Sequence, residues 1–182
     1  MEHSPLLSVI MSVYNAEKYL NEAVDSILNQ TFRDFEFIII EDCSSDQSLK
    51  KLEIYEKQDS RITLIKKEQN KGINGYLENL NLGLQLAKGK YIARMDNDDI
   101  SDPTRFEKQI NLLENDPDLF IVGSYLQFID ENGKATFEKK APLLDVDIKA
   151  TMYKSIALYH PVIMFRNSDL RYRNKMYNCE DY

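Results

Sequence analysis

The feature that most constrains the fold is an alternation of strand-like and helix-like segments along the first hundred residues of this 182-residue chain. Short, continuous, β-branched apolar runs predict strands at 6–13, 35–40 and 61–66, and a fourth strand follows Gly89. Between these runs, apolar residues recur at helical spacing. Four successive βα units predict an α/β fold with a mostly parallel sheet and helices on both faces.

The pattern changes after residue 103. A helix from Phe106 to Leu113 is followed by one or two strands in 119–130, a turn at "ENGK", a polar stretch, a short helix and a strand at 161–166. These segments predict a small mixed or antiparallel element in the C-terminal part. Since the sequence has no internal repeat, linker or low-complexity stretch, we predict a single domain over residues 1–182.

Composition narrows the function classes. Hydrophobic residues make up 43% of the chain and charged residues 29%, as in an ordinary globular protein. The net charge of −7 and the lack of a basic run argue against a nucleic-acid partner. The two cysteines, Cys43 and Cys179, form no metal-binding spacing and are expected to be reduced thiols.

No apolar run approaches the roughly 20 residues that a membrane-spanning helix needs. The N-terminal apolar stretch lacks a basic lead-in and a cleavage site, so it predicts a strand rather than a signal peptide. The expected location is therefore the cytoplasm, and peripheral contact with the inner face of the membrane stays open. The sequence leaves the oligomeric state open.

The stretch "RMDNDDISDP" (94–103) places four carboxylates within seven positions, directly after the fourth predicted strand. An Asp-x-Asp in such a loop suits Mg²⁺ or Mn²⁺, which take oxygen ligands from one or two carboxylates and from substrate phosphates. The clusters "YNAE", "EDCSSD" and "DNDD" each follow a predicted strand. Because ligands bind at the carboxyl ends of parallel strands, we expect all three clusters to meet in one cleft.

Four interpretations of the acidic stretch compete. It could be a solvated turn in which Asp102 caps the helix starting near Thr104. A calcium loop is rejected because Ile100 occupies a ligand position and Ser101 replaces the glycine of the sharp turn. The remaining two are an aspartyl nucleophile of a phosphohydrolase and a nucleotide-sugar site with a metal-clamped diphosphate.

Five ordered segments favour the last interpretation: "LSVIMSVYNAEKYL", "IIIEDCSSD", "NKGINGYLENLNLGLQLAKGKYIARMDNDD", "YHPVIMFR" and "CEDY". Together they resemble the family 2 glycosyltransferases, inverting enzymes of the GT-A fold, over almost the whole chain. The resemblance implies an N-terminal catalytic domain that uses Mg²⁺ or Mn²⁺ and a nucleoside-diphosphate sugar, with UDP expected as the nucleotide. The implied acceptor is a hydroxyl of a saccharide or lipid-linked saccharide, in the biosynthesis of a cell-surface polysaccharide.

On the donor side, the resemblance assigns the ring of Tyr14 to the neighbourhood of the base, with Asn15 beside it. It assigns Asp42 to a hydrogen bond with the base. The segment "NKGING" is predicted to be a loop of the donor cleft, and within it Lys71 is the nearest candidate for a basic residue close to the phosphates. The alternatives are a core aromatic at the end of a strand for Tyr14, a helix cap for Asn15 and a solvated loop lysine for Lys71.

Within "DNDD" the resemblance assigns Asp96 to the sugar-nucleotide side and Asp98 to the metal, while Asp99 could share either role. These assignments belong to residues 1–103, the predicted nucleotide-sugar-binding half.

On the acceptor side, 104–182, the resemblance implies that Asp181 is the general base, with Glu180 second, and places His160 near the cleft. A lone histidine is more often structural. Family members continue past the Glu-Asp pair whereas this chain stops at Tyr182, so the acceptor-side half is expected to be truncated. Donor binding without turnover is therefore one alternative function, and a metal-dependent phosphohydrolase is another.

Overall fold

A computed structural model of the chain describes residues 4–173, and its largest element is a six-stranded sheet with the strand order β3-β2-β1-β4-β8-β5. In chain order the elements are β1 (Leu7–Val13), α1 (Leu20–Leu28), β2 (Phe35–Glu41), α2 (Ser48–Gln58), β3 (Ile62–Lys66), α3 (Gly72–Leu86), β4 (Tyr91–Arg94), α4 (Arg105–Asn115), β5 (Ile121–Val122), β6 (Leu126–Ile129), β7 (Ala135–Lys139), α5 (Asp145–Met152), a 3₁₀ turn (His160–Val162) and β8 (Met164–Arg166).

The first four strands are parallel, as the alternating pattern predicts. In the central register Ile10 of β1 lies opposite Ile38 of β2 and Arg94 of β4. Among the described strands of this sheet, β8 runs in the opposite direction to the others, and it pairs antiparallel with both β4 and β5. The carboxyl ends of β2, β1 and β4 therefore lie side by side at one edge, and the prediction of a mostly parallel α/β sheet is confirmed.

Two apolar layers cover the sheet because side chains alternate along each strand. Leu7, Val9 and Met11 of β1 pack into one cluster together with α1, α2 and α4. Ile10 points to the opposite face, where it packs with the inward face of α3. Burial on both faces explains why these strands are continuous apolar runs rather than alternating ones.

Two local predictions about loops and caps were wrong. Asn15 is not the cap of α1, which begins only at Leu20; it has a positive φ of 47° and its side chain bonds to the loop after β2 instead. The "NKGING" segment is not a loop throughout, because α3 already begins at Gly72. Gly72 has a φ of 63°, and the Asn70 side chain accepts a hydrogen bond from its backbone N–H, which reverses the chain into the helix.

The polar stretch after "ENGK" is a strand, β7, which pairs with β6 in a separate two-stranded antiparallel sheet. We call residues 126–139 the hairpin. Its tight turn contains Gly133, whose φ is 76°. The hairpin has no buried residue, and its stacked Phe128 and Phe137 rings lie 4.3 Å apart in the open. Among residues 4–173, none of the helices is long and apolar enough to cross a bilayer.

Candidate functional site

Hydrogen bonds join the loops after β1, β2 and β4 at the carboxyl edge of the sheet. The Asn15 Oδ1 accepts from the backbone N–H of Ser45 at 2.8 Å, and the Ser44 hydroxyl accepts from the N–H of Asn15 at 3.0 Å. Between the loop after β4 and the end of β1, the Asn97 amide donates to the carbonyl of Ser12 at 2.9 Å. The three polar clusters therefore form one edge, as their positions after parallel strands predict.

Tyr14 lies at the end of β1 with 48% of its surface exposed, so it is not a core aromatic. Its position beside the Asn15–Ser45 contact leaves the phenol ring available to a ligand at the edge. The positive φ of Asn15 turns the chain sharply directly after Tyr14, which is a conformation that asparagine tolerates better than most residues.

Asp42, directly after β2, is only 3% exposed. The Asn70 amide donates to its Oδ2 at 2.9 Å, whereas its Oδ1 is buried and has no hydrogen-bond partner among the described residues. An unpaired buried acceptor costs about 1–3 kcal/mol. The arrangement therefore fixes the carboxylate and leaves one of its oxygens, which the surrounding residues cover, with unused capacity to accept a hydrogen bond.

Lys71 lies on the exposed side of this edge, at the start of α3. Its ammonium forms an ion pair with Glu78 Oε2 on the same helix, at 2.8 Å. Both partners are largely exposed, so the pair contributes little to stability. Contact of Lys71 with a phosphate would require this pair to open.

Asp96 is held by a charged residue that sequence reasoning missed. Arg94 is fully buried, and its Nη2 donates to Asp96 Oδ1 at 2.9 Å and to the Tyr76 hydroxyl at 2.7 Å. Its Nη1 donates to the carbonyls of Ile10 and Met95. The signal in the sequence was an arginine inside the apolar run "YIARM", where a charge is rare unless it is paired.

A second buried guanidinium lies beneath the same loop. Arg105, at the start of α4, is 5% exposed and donates through Nη2 to the carbonyls of Arg94 and Ile163. Burial and the neighbouring charge of Arg94 lower the pKa of Arg105 to about 9, so it stays protonated at neutral pH. The two arginines place positive charge under the acidic loop.

Asp98 and Asp99 stand further out and have no ion-pair partner among the described residues. Asp99 as a whole is exposed, yet its carboxyl group is partly enclosed. This burial, together with the neighbouring charges of Asp96 and Asp98, raises the pKa of Asp99 to about 6. The loop therefore carries negative charge that the buried arginines do not balance.

The donor set fits a hard cation that brings its own phosphate ligands. Among the described residues no group of three or more histidine, cysteine, aspartate or glutamate side chains forms a metal cage. Mg²⁺ and Mn²⁺ are commonly held by only one or two carboxylates plus substrate phosphates. Asp98 and Asp99, exposed and mutually repelling, supply such a partial set.

His160, predicted near the acceptor, is 7% exposed and lies in the 3₁₀ turn before β8. Its Nε2 lies 2.7 Å from the Tyr172 hydroxyl. Burial, with a smaller effect from Arg94, lowers the pKa of His160 to about 3, so the ring is neutral. Its placement fits a structural role. The predicted bases Glu180 and Asp181 lie outside the described residues.

An open cleft of about 510 Å³ adjoins the acidic loop. Asp98, Asp99 and Ile100 form one side, the start of α1 forms the second and the hairpin forms the third. Tyr14, Asn15 and Asp42 do not line it. The cleft therefore contains residues of only one of the three polar clusters that were expected to share a cleft.

A mostly parallel sheet with an Asp-x-Asp loop and a buried aspartate at its carboxyl edge is the arrangement expected of a glycosyltransferase domain of the GT-A type. The chain belongs to glycosyl transferase family 2, whose family model matches residues 8–180. It is 39% identical over 184 residues to an uncharacterized glycosyltransferase of Methanocaldococcus jannaschii, covering 98% of this chain and 62% of that protein. It is 38% identical over 185 residues to the O-antigen biosynthesis glycosyltransferase WbnJ of Escherichia coli, covering 97% of this chain and 69% of WbnJ.

Solved structures share the fold. S. aureus TarS 1-349 in complex with UDP-GlcNAc superposes with a TM-score of 0.71 at 23% identity, over 96% of this chain and 50% of that one. The mannosyltransferase PcManGT from Pyrobaculum calidifontis, in complex with GDP-Man and Mn²⁺, gives 0.66 at 16% identity, over 91% and 45%. The chain thus spans about three-fifths of the length of the first of these curated relatives and about half of the solved chains.

Proposed function

We propose that this chain is the donor-binding catalytic domain of an inverting glycosyltransferase that uses a UDP-sugar and a divalent cation. The observation that carries the proposal is the unpaired, buried Oδ1 of Asp42, fixed at the same edge as the exposed carboxylates of Asp98 and Asp99. The Asp42 oxygen can accept a hydrogen bond from an N–H donor, and the carboxylates of Asp98 and Asp99 can bind a cation. A uridine diphosphate with its metal ion supplies both.

The base binds between Tyr14 and Asp42. Once the residues that cover Asp42 Oδ1 move aside, the imide N–H of uracil donates to this oxygen, and the exposed Tyr14 ring packs against the face of the base. Guanine also offers N–H donors, but it is the larger base, so we propose UDP as the preferred nucleotide. A TarS structure contains UDP-GlcNAc and the PcManGT structure contains GDP-Man, so the shared fold accommodates both bases.

The acidic loop faces the diphosphate and the sugar. Asp98, with Asp99 in support, would hold Mg²⁺ or Mn²⁺, which neutralises charge on the leaving diphosphate. Asp96 is turned toward Arg94 and is fixed by it, which suits a carboxylate that accepts hydrogen bonds from donor hydroxyls. Without the cation, this loop would repel the nucleotide.

In the transfer step, the acceptor hydroxyl oxygen attacks the anomeric carbon from the face opposite the diphosphate. The new C–O bond forms while the anomeric C–O bond to the diphosphate breaks and its electron pair leaves with the nucleotide. The acceptor proton passes to a carboxylate, for which we propose Asp181, with Glu180 second. Attack from the opposite face inverts the anomeric configuration.

The expected setting is the cytoplasm, at or near the inner face of the membrane, in the assembly of a surface polysaccharide. The naming of WbnJ for O-antigen biosynthesis supports this setting. The acceptor would then be a saccharide or lipid-linked saccharide.

Calorimetric titration of UDP and of GDP, with Mn²⁺ and again with a chelator, tests the donor site. We expect UDP to bind only with Mn²⁺ and to lose at least about tenfold in affinity in Asp98→Asn, because the metal loses a charged ligand. Asp118→Asn is the matched control, since Asp118 lies in the exposed loop after α4. If neither nucleotide binds in a metal-dependent manner, the proposal is wrong.

The alternatives differ in product. UDP binding without transfer or hydrolysis of a UDP-sugar would indicate a donor-binding domain without turnover. Release of inorganic phosphate from a simple phosphate ester, without any sugar nucleotide, would indicate a phosphohydrolase.

A further inference from the structure

The cleft beside the acidic loop lies at the carboxyl edge of the sheet. Along the carboxyl edge, Asp42 follows β2, Tyr14 follows β1, the acidic loop follows β4, and Pro161 precedes β8. The cleft is lined by the acidic loop and Pro161 but not by the two base-side residues. Its 510 Å³ falls within the range of small-molecule sites, roughly 300–1,000 Å³.

The charged residues that line the cleft are all acidic. Five acidic residues line it: Glu22, Asp98, Asp99, Asp130 and Glu131. The Asp130 carboxylate also accepts from the backbone N–H groups of Asn132 and Lys134 within the hairpin turn. Among the described residues that line the cleft there is no lysine, arginine or histidine. Even if a divalent cation at Asp98 offsets two of these charges, the remaining carboxylates keep the potential negative, and a concave wall focuses it.

The third wall supplies an apolar surface. Phe128 and Ile129 of the hairpin line the cleft, and they are 44% and 45% exposed. Phe128 is stacked on Phe137 at 4.3 Å with an angle of 8° between the rings, which limits its rotation. A flat, held ring beside carboxylate acceptors matches a sugar, which has an apolar C–H face and hydroxyl donors around its rim.

We propose that this cleft is the acceptor site, that the hairpin is its sugar-binding wall, and that its acidic lining selects neutral or amino-bearing sugars over uronic acids and phosphorylated sugars. This rests on the proposed glycosyltransferase function. The selection is by repulsion: an anionic group in the cleft meets like charges with no cation of the protein to offset them. Hydroxyls and ammonium groups donate to the same carboxylates.

The test uses the full chain with UDP and Mg²⁺, and three matched probes: the methyl glycosides of glucose, glucosamine and glucuronic acid, with the galacto series in parallel. Binding is followed by saturation-transfer NMR and competition. In at least one series we expect the amino and neutral sugars to bind at least about tenfold more tightly than the uronate at low salt, and the gap to narrow at high salt.

Variants locate the effect. The double variant Glu22→Gln/Glu131→Gln should reduce the ratio of neutral-sugar affinity to uronate affinity by about threefold or more, because it removes two cleft charges outside the donor site. The control Glu53→Gln/Glu114→Gln removes two carboxylates that lie neither in the cleft lining nor in the hairpin, and it should leave this affinity ratio unchanged. Phe128→Ala should lose neutral-sugar binding, and Phe128→Tyr should retain it.

UDP affinity is measured for every variant and separates the two proposals. If UDP binds normally but the uronate binds as well as the neutral sugar, or no probe binds, or the cleft variants behave like the control pair, the acceptor site lies elsewhere and this inference is overturned. If UDP itself does not bind, the donor proposal fails first.

Discussion

At the scale of single residues, Arg94 separates the carboxylates of the acidic loop into two kinds. Asp96 is paired with a fully buried guanidinium, whereas Asp98 and Asp99 are exposed and unpaired among the described residues. A buried arginine has few alternative partners, so its position fixes that of Asp96. One carboxylate is thereby set in place before any ligand arrives, and two are left to respond to a cation.

Tyr76→Phe tests this positioning. The change removes the hydroxyl that Arg94 Nη2 contacts at 2.7 Å and that lies 3.5 Å from Asp96 Oδ1. We expect a loss of about 1–3 kcal/mol in the free energy of unfolding, because a buried N–H loses its partner. Since Asp96 is less firmly held, UDP affinity should also fall severalfold. Denaturant unfolding and calorimetry measure the two effects.

The matched control is Tyr55→Phe, in which the lost hydroxyl hydrogen-bonds Asp25 at a more exposed place on α2. It should leave UDP affinity unchanged. An equal loss of UDP affinity in both variants would contradict the role of Tyr76.

Asp99→Asn tests the charge imbalance through pH. The folded-state pKa of about 6 lies above the ordinary value of 3.8, so the folded protein binds the proton more tightly than the unfolded chain does. The contribution of Asp99 to the free energy of unfolding should therefore fall as pH rises from about 4 to about 6, and this fall should appear as a pH-dependent difference between the native protein and the variant. With a chelator present, the free energy of unfolding of Asp99→Asn is compared with that of the native protein at each pH. This difference should favour the variant by about 1 kcal/mol more above pH 6.5 than at pH 4, after allowing for solvent screening. Parallel stability curves for the two proteins would contradict this.

At the scale of elements, the sequence predicted those strands and helices whose periodicity reflects burial. The strands β1 and β2 are buried on both faces and read as continuous apolar runs. The strand β7 was missed because all five of its residues are exposed, so no apolar period marks it. The start of α3 was missed because Gly72 and Gly75 favour a loop locally, and tertiary packing overrides that preference.

Gly89, between α3 and β4, shows a constraint of a different kind. A Cβ there would lie 2.6 Å from the backbone nitrogen of Ser8 and 2.7 Å from the carbonyl carbon of Leu7. We expect Gly89→Ala to lower the free energy of unfolding by about 1–3 kcal/mol, since backbone atoms of a central strand cannot move aside easily. Chemical denaturation measures the change.

Gly123→Ala is the control for that substitution. Its Cβ would meet only the end of the flexible Leu158 side chain, at 3.1 Å. A loss at Gly89 no larger than the loss at Gly123 would show that the close approach carries no cost.

At the scale of the whole molecule, topology explains why much of the candidate site was predictable. Parallel strands bring the residues that follow them to one edge, so Tyr14, Asp42 and Asp98 could be grouped from their order alone. The two buried arginines beneath this edge could not be predicted from the order of the strands. Arg94 and Arg105 meet through a strand carbonyl and a helix start, and no local pattern encodes that contact.

The separation of the hairpin from the main sheet also has an evolutionary consequence. No residue of 126–139 belongs to either core cluster, so changes in its length or composition remove no core packing. The central sheet can therefore stay under strict selection for stability while this appendage diverges. If the hairpin is the acceptor wall proposed above, sugar preference can change there without rebuilding the core.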